Sequence, residues 1–357
     1  MRVAFVRQRY NPYGGAERFI ERAAAALRRD GTEVTLIARR WKEGGEFLKV
    51  DPPYFGRLWR DRSFARAARD SWERGGFDLV QSHERIPGCD LYRAGDGVHA
   101  QWLDYRLADA PPLERLAVRA SLYHRYVCAA ECAMFEHPRL RAVICNSKMV
   151  RGEILKRFSL DEKKLHVIYN GVDTEYFSPR EATRTGGCRL LFVGSGFARK
   201  GLDTLLQALA RTDGRLTVVG RDREQARFAA LAATLGVADR VRFAGGVDDV
   251  RPFYADADLL VLPTRYDPFP NAVLEALAMG VPALVSDRCG AAEVIVHGES
   301  GYLCRAGDAD QLAGLLNASR EQSDEMKRKA RQAAQALSLE AMAAQLRALY
   351  GALAATI

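Results

Sequence analysis

The sequence predicts an α/β protein with two parallel sheets in tandem, and three observations carry that prediction. Short aliphatic runs alternate with helical patterns. The alternation breaks once at a polar stretch and then starts again. At 357 residues the chain is also too long for one ordinary α/β core.

The first series of runs is VAFV (3–6), VTLIA (34–38), DLV (78–80), AVIC (142–145) and HVIY (166–169). Each is followed by turn formers and a helical pattern, which is the βα rhythm of a parallel sheet. The second series is RLLFVG (189–194), RLTVVG (215–220), VRFAG (241–245), DLLVLP (258–263) and PALVS (282–286). Between them lies NGVDTEYFSPREATRTGG (170–187), polar and rich in turn formers, as expected of a linker. Two Rossmann-like domains follow, residues 1–170 and 171–336, with a cleft expected between their cores. Residues 337–357 are Ala- and Leu-rich and helical in pattern, placed to pack back on the N-terminal domain.

Hydrophobic residues make up 48% and charged residues 27%, the balance of a globular protein. The longest apolar runs, such as LLVLP at 259–263, fall far short of the roughly 20 residues that a spanning helix needs. The opening MRVAFVRQRY carries charges within its apolar run, so it reads as a first strand and not as a secretion signal. The expected location is the cytoplasm. Seven scattered cysteines without a CxxC pair read as free thiols. Residues 1–170 hold 31 Lys and Arg against 22 Asp and Glu, and the remainder holds 22 against 23. All the positive excess is N-terminal, which suits a polyanionic partner, either nucleic acid or an anionic lipid surface.

Three stretches carry the chemistry. After the first strand, Gly14 and Gly15 precede a helix, where backbone N–H groups can approach an anion. The same glycines also read as a plain turn. After RLLFV comes GSGFARKG (194–201), which puts Arg199 and Lys200 at a strand's carboxyl end, where open α/β sheets bind ligands. They read as diphosphate-neutralising cations or as a solvated basic pair. No Walker loop is present, which disfavours triphosphate hydrolysis. In LPTRYDPFPNAVLEALAMGVPALVSD (262–287), Pro268 and Pro270 keep the chain extended, Asn271 can cap, and a short helix follows. Asp267 lies before that helix and Glu275 about one turn into it. Carboxylates there suit sugar hydroxyls while the helix end receives phosphate; a simple dipole role for Glu275 is the alternative.

Taken together, GGAER, YNGVD (169–173), GSGFARKG, the 262–287 stretch and GAAEVIVHGESGYL (290–303) resemble the retaining glycosyltransferases of family 4 over nearly the whole chain. The resemblance implies the GT-B fold of two facing Rossmann-like domains. It implies that Arg199 and Lys200 bind the donor pyrophosphate, that Gly15 contacts it from the other domain, and that Gly194 belongs to the same donor loop. The family's E-x7-E motif falls on Asp267 and Glu275, with Glu275 on the ribose and the first acid on the transferred sugar. Here that first acid is Asp, one methylene shorter than Glu. Phe269, Pro270 and Asn271 lie where the family's backbone approaches the donor. In DLYRAGDGVHAQWLDY (90–105), Asp96 and His99 fall where the family places acceptor-side or sugar-contacting residues, although a histidine beside Gly and Val also reads as structural.

The PYGGAER start, FVGSGFARKG and PGCDLYRAGD are similar to the lipopolysaccharide core glucosyltransferase I group. That similarity implies a UDP-hexose donor, glucose, and a lipid-anchored glycan acceptor, with retention of configuration. No metal or other cofactor is expected, since cationic side chains can stabilise the departing diphosphate. The rival readings are a UDP-sugar epimerase of the same fold and a non-catalytic nucleic-acid-binding protein; the second leaves the RK and D-x7-E residues unexplained. Two segments predict peripheral docking on an anionic membrane, at the inner face of the cytoplasmic membrane. YFGRLWRDRSFARAARDSW (54–72) interleaves five arginines with Trp59, Phe64 and Trp72. LERLAVRASLYHRYVCAAECAMF (113–135) repeats Leu116, Tyr123, Tyr126, Val127 and Ala130 at helical spacing, with Arg115, Arg119 and Arg125 towards another side.

Overall fold

The computed structural model describes residues 1–10, 15–29, 31–41, 47–108, 110–180, 188–319 and 323–355. The chain divides into two units, Met1–Tyr169 with Met342–Ile357, and Asn170–Ala341.

Unit 1 holds, in chain order, β1 (Arg2–Val6), α1 (Gly15–Arg29), β2 (Glu33–Ala38), β3 (Leu48–Lys49), α2 (Gly56–Arg74), β4 (Leu79–Ser82), β5 (Leu91–Ala94), α3 (His99–Ala108), α4 (Pro112–Ala120), α5 (Leu122–Phe135), β6 (Ala142–Cys145), α6 (Lys148–Arg157) and β7 (Leu165–Val167). Its sheet runs β3-β2-β1-β4-β5-β6-β7. Every strand pair is parallel, with Val3 opposite Val34 on one side and Leu79 on the other. All residues of β4, β5 and β6 are buried, as strands covered on both faces must be. Helix α2 covers the sheet with Phe64, Ala68 and Trp72, a spacing of four that forms one helical face. Phe64 and Trp72 therefore belong to the core and not to a membrane-facing surface.

Unit 2 holds β8 (Arg189–Val193), α7 (Leu202–Leu209), β9 (Arg215–Val219), α8 (Gln225–Thr234), β10 (Val241–Gly245), α9 (Arg251–Ala255), β11 (Leu259–Leu262), α10 (Asn271–Ala278), β12 (Ala283–Ser286), β13 (Gly301–Cys304), α11 (Ala309–Ala318) and α12 (Asp324–Gln335). Its parallel sheet runs β10-β9-β8-β11-β12-β13. Helix α7 buries Leu202, Leu205, Leu206 and Leu209, the i, i+3, i+4, i+7 stripe of an amphipathic helix. In both sheets the strand order reverses once, between β1 and β4 and between β8 and β11. At such a point neighbouring crossovers leave in opposite directions, and a crevice opens at the strands' carboxyl ends.

The last helix, α13 (Leu339–Ala354), carries the chain into unit 1. Its buried Tyr350 donates a hydrogen bond to Gln81 of β4, and Gln81 Nε2 lies 2.9 Å from His83 Nε2. Arg141 donates to the carbonyl of Leu353. The seven cysteines are free thiols. Among the described residues no helix is long and apolar enough to cross a membrane.

Replacing Tyr350 by Phe removes a donor to fully buried Gln81, so unfolding in urea should lose about 1–3 kcal/mol of stability. An unchanged midpoint would show that this bond does not fasten α13.

Candidate active site

The 194–201 loop of unit 2 is built by a phenylalanine anchor and two glycines. Phe197 is buried, with its ring centroid 5.8 Å from Phe192 and 5.6 Å from Phe228, and its N–H donates to Asp222 Oδ2 at 2.8 Å. That anchor fixes the turn between β8 and α7. Gly194 has φ +140°, and a Cβ there would stand 2.5 Å from Lys200 Cε, so the missing side chain gives the lysine stem its path. Gly201, at φ +75°, packs so close to the end of β11 that a Cβ would lie 2.0 Å from Pro263 O.

The loop after β11 meets it. Arg265 N–H donates to Arg199 O at 2.8 Å, and Arg199 Nη1 donates to Tyr266 O at 2.8 Å. Arg199 Nη1 and Lys200 Nζ then share one oxygen, Asp267 Oδ2, at 3.1 and 2.7 Å. Lys200 and Asp267 side chains are each 9% exposed, whereas Arg199 is 38% exposed. Burial raises the Asp267 pKa, but Lys200 and Arg199 more than reverse this and hold it below the usual carboxylate range. Asp267 is further fixed by its own backbone, N–H to Arg288 O at 3.1 Å and O from Gly290 N–H at 2.9 Å. Beside it, burial and then the Asp267 charge push the Cys289 thiol up to about 12. The cations and the first acid, which the sequence suggests act separately, are one cluster.

Helix α10 starts right after this cluster. Pro270 takes the cap position, with φ −70° and ψ 124°, and Asn271 is the first helical residue. Asn271 therefore does not cap the helix: its Oδ1 accepts from Asn170 Nδ2 at 2.8 Å, and the same amide donates to Phe269 O at 3.2 Å. Glu275 is buried, with the Tyr254 hydroxyl 3.1 Å from its Oε2. Sequence reasoning assigned no role to Asn170 or Tyr254. Asn170 stands in the YNGVD motif, but no spacing signals Tyr254.

In unit 1, Gly14 lies outside the described residues and Gly15 opens α1. Asp96 follows β5 and pairs with Arg7 Nη1 at 3.1 Å. Burial opposes its charged form, but Arg7, Arg85 and Arg93 hold its pKa at about 2. His99 opens α3, and its N–H donates to both oxygens of Glu131, at 2.9 and 3.1 Å. Its Nε2 lies 3.1 Å from His124 Nδ1, so one ring donates and the other accepts. Arg85 joins the two segments, donating to Glu131 at 2.8 Å and to Gly97 O at 2.9 Å. The sequence signals no link of Arg85, Glu131 or His124 to His99, apart from the position of Arg85 just after β4. Among the described residues no cluster of His, Cys, Asp and Glu could hold a metal ion.

Two parallel α/β units, one with paired cations beside a helix N-terminus, match the GT-B fold. The chain belongs to the glycosyltransferases: residues 13–176 match Glycosyltransferase Family 4, and residues 174–337 match Glycosyl transferases group 1. It is 27% identical to the lipopolysaccharide glucosyltransferase WaaG of Escherichia coli over 90% of each chain. A crystal structure of WaaG superposes with a TM-score of 0.84 at 25% identity, covering 96% of this chain and 98% of that one. Similarity to the lipopolysaccharide core biosynthesis glycosyltransferase LpsE of Rhizobium meliloti reaches 38% over 128 residues, 36% of this chain and 38% of LpsE. HepE of Anabaena, solved with UDP and glucose, shares the fold at a TM-score of 0.73 and 19% identity, covering 99% of this chain and all of that one.

Burial, then Arg85, His124 and Arg57, depress the His99 pKa to about 3, so the ring stays neutral at physiological pH. An unfolded chain takes up that proton near its ordinary pKa of about 6.5. The native state is therefore fully favoured above that pH and loses stability as pH falls towards the folded value. The melting temperature should drop between pH 7 and pH 5, and less steeply in His99→Gln. A His99 ring resonance that titrates near pH 6.5 in the folded protein would contradict the assignment.

Proposed function

We propose that the protein moves a hexose, glucose, from a UDP-sugar to a lipid-anchored glycan of the lipopolysaccharide core type, retaining the anomeric configuration and using no metal. The observation that carries this reading is the Arg199–Asp267–Lys200 cluster at the β8–β11 switch point, immediately before the N-terminus of α10. Two cations share one carboxylate, so the cluster keeps a net positive charge for a diphosphate. The N–H groups of the first turn of α10 add favourable dipole. The names of WaaG and LpsE support the lipopolysaccharide acceptor.

In this mechanism Lys200, Arg199 and the α10 N-terminus stabilise the charge that develops on the diphosphate. Glu275 accepts from ribose hydroxyls, held by Tyr254. Asp267 holds both cations in place and reaches the transferred sugar. The bond from the anomeric carbon to the UDP oxygen breaks, and the acceptor oxygen bonds that carbon from the same face. The acceptor's proton passes to the departing phosphate oxygen. Asp96 and neutral His99 belong to the acceptor side, and a metal has no role where Arg199 and Lys200 supply the charge.

The partner surface in this reading is an anionic membrane and not nucleic acid, at the inner face of the cytoplasmic membrane. The 113–135 segment is two helices, because Ser121 is extended and caps α5. Tyr123, Tyr126, Val127 and Ala130 line an internal crevice of unit 1. The exposed apolar groups are instead Leu113, Leu116 and Leu122, beside exposed Arg115, Arg119 and Arg125, with Phe55 and Trp59 also exposed on unit 1. That combination suits an anionic bilayer surface.

Arg199→Ala and Lys200→Ala should each lower turnover by about 10²-fold. In calorimetry Glu275→Ala should lose affinity for UDP itself, while Asp267→Ala should lose more affinity for UDP-glucose than for UDP. Equal losses for both ligands in both carboxylate variants would refute the division of roles. Binding to phosphatidylglycerol vesicles should exceed binding to phosphatidylcholine, and should fall when Arg115, Arg119 and Arg125 are replaced by Gln; indifference to vesicle charge at low salt would remove the membrane reading.

A further inference from the structure

Unit 1 has its own crevice at the β1–β4 switch point, and the donor chemistry does not use it. The crevice encloses about 310 Å³. That is the lower end of the range for small-molecule sites, about 300–1,000 Å³, room for one or two sugar residues. Its floor is the chain leaving β1 and β4, with Arg7, Arg9, Glu84 and Arg85, and its walls are α2 and α5, with Arg60, Asp61 and Tyr123. This is where an open parallel sheet binds ligands.

The charges in it are unequal. Four lining arginines stand against three lining carboxylates, Asp61, Glu84 and Asp96, and Arg85 is paired in turn with Glu131 behind the lining at 2.8 Å. Those carboxylates are already engaged. Asp61 accepts from Arg60 Nε at 2.7 Å, Gln8 Nε2 at 3.2 Å and the Tyr123 hydroxyl at 3.1 Å. Glu84 accepts from Gln8 N–H at 2.9 Å, and Asp96 from Arg7. Arg9 donates through Nη2 to the Tyr54 hydroxyl at 2.7 Å, while its Nε is buried and has no hydrogen-bond partner. Arg57 adds a further cation 4.2 Å from the Tyr123 ring centroid.

Arg60 is also held in place. Fully buried Arg39 donates to Arg60 O at 3.2 Å and to Ser63 Oγ at 3.3 Å, and it is fastened to Asp51 and to Pro52 O. A buried cation thus ties the first turns of α2 to the edge of the sheet, which orders Arg60 before any ligand arrives. Ordering in advance lowers the entropic cost of binding. Arg9, which donates to a hydroxyl and to no lining carboxylate, stands beside Arg60 as a match for a phosphate or carboxylate, which guanidinium groups can grip with two parallel bonds.

We propose that this crevice binds an anionic sugar residue of the acceptor, with Arg9 and Arg60 holding its phosphate or carboxylate group. The proposal rests on the glycosyltransferase reading for the word acceptor, but not for the site itself. The test is calorimetry on the full chain at low salt, with UDP present at saturation so that the diphosphate site is filled. The probes are mannose 6-phosphate, glucuronate, methyl mannoside and inorganic phosphate. Mannose 6-phosphate or glucuronate should bind at least tenfold more tightly than methyl mannoside, and the better of the two identifies the anion. Arg60→Gln and Arg9→Gln should each weaken that probe by about tenfold, as expected for one charge-assisted hydrogen bond, while Lys200→Ala leaves it unchanged. Arg9→Gln serves as the second variant should Arg60→Gln fail to fold. Equal binding of methyl mannoside, equal binding of inorganic phosphate, or a loss that follows Lys200→Ala instead of the arginines would overturn the proposal. Absence of any heat from UDP alone would instead count against the donor reading, and would leave the sugar-anion signal to be judged on its own.

Discussion

One carboxylate oxygen organises the candidate active site. Asp267 Oδ2 accepts from both Lys200 and Arg199, and those two residues come from a different loop. A buried lysine without a partner would shed its proton, and a buried aspartate without one would gain a proton. Here each compensates the other, with both side chains only 9% exposed. Removing one member of such a buried pair typically costs about 3–5 kcal/mol, because the other is left uncompensated. The glycine at 194, the phenylalanine anchor at 197 and the close approach of Gly201 to Pro263 all bring these two loops into register.

The two units solve one problem in two ways. Each sheet reverses its strand order once, and each puts its charged side chains at the carboxyl ends beside that reversal. In unit 2 two cations gather around one Asp267 oxygen. In unit 1 they are many, and arginines pair with Asp61, Asp96 and Glu131. Each such pair uses one positive and one negative charge, so the excess of 31 over 22 in residues 1–170 is left for solvent or a ligand. Net charge gave the sign of the surface, but not which arginines are structural; fully buried Arg39 is the clearest example.

Legibility in the sequence followed local chemistry. Strands β8 to β11 were readable because their aliphatic runs end in glycine or proline, and β12 because Pro282 opens its run. Strand β5 was not: Tyr92 and Arg93 interrupt the aliphatic pattern, although both are buried, the arginine 3.7 Å from the centroid of the Phe19 ring. Phe64 and Trp72 looked like interface aromatics because arginines surround them, yet their spacing of eight with Ala68 between marks a core face. The 113–135 segment read as one helix because Ser121 is an ordinary surface residue until its hydroxyl accepts the His124 N–H. Arg199, Lys200, Asp267 and Glu275 were legible from their places relative to strand ends and a helix start. The sharing of one Asp267 oxygen by Arg199 and Lys200 was not, since Lys200 and Asp267 are 67 positions apart.

The central claim is that the Asp267 cluster is a diphosphate site held ready by its own carboxylate. A crystal structure of the protein with UDP tests this most directly. The account predicts the diphosphate within hydrogen-bonding distance of Lys200 Nζ, the Arg199 guanidinium and the first N–H groups of α10, with the ribose hydroxyls on Glu275. A UDP bound elsewhere, or a diphosphate that leaves Lys200 and Arg199 untouched on Asp267, would contradict it.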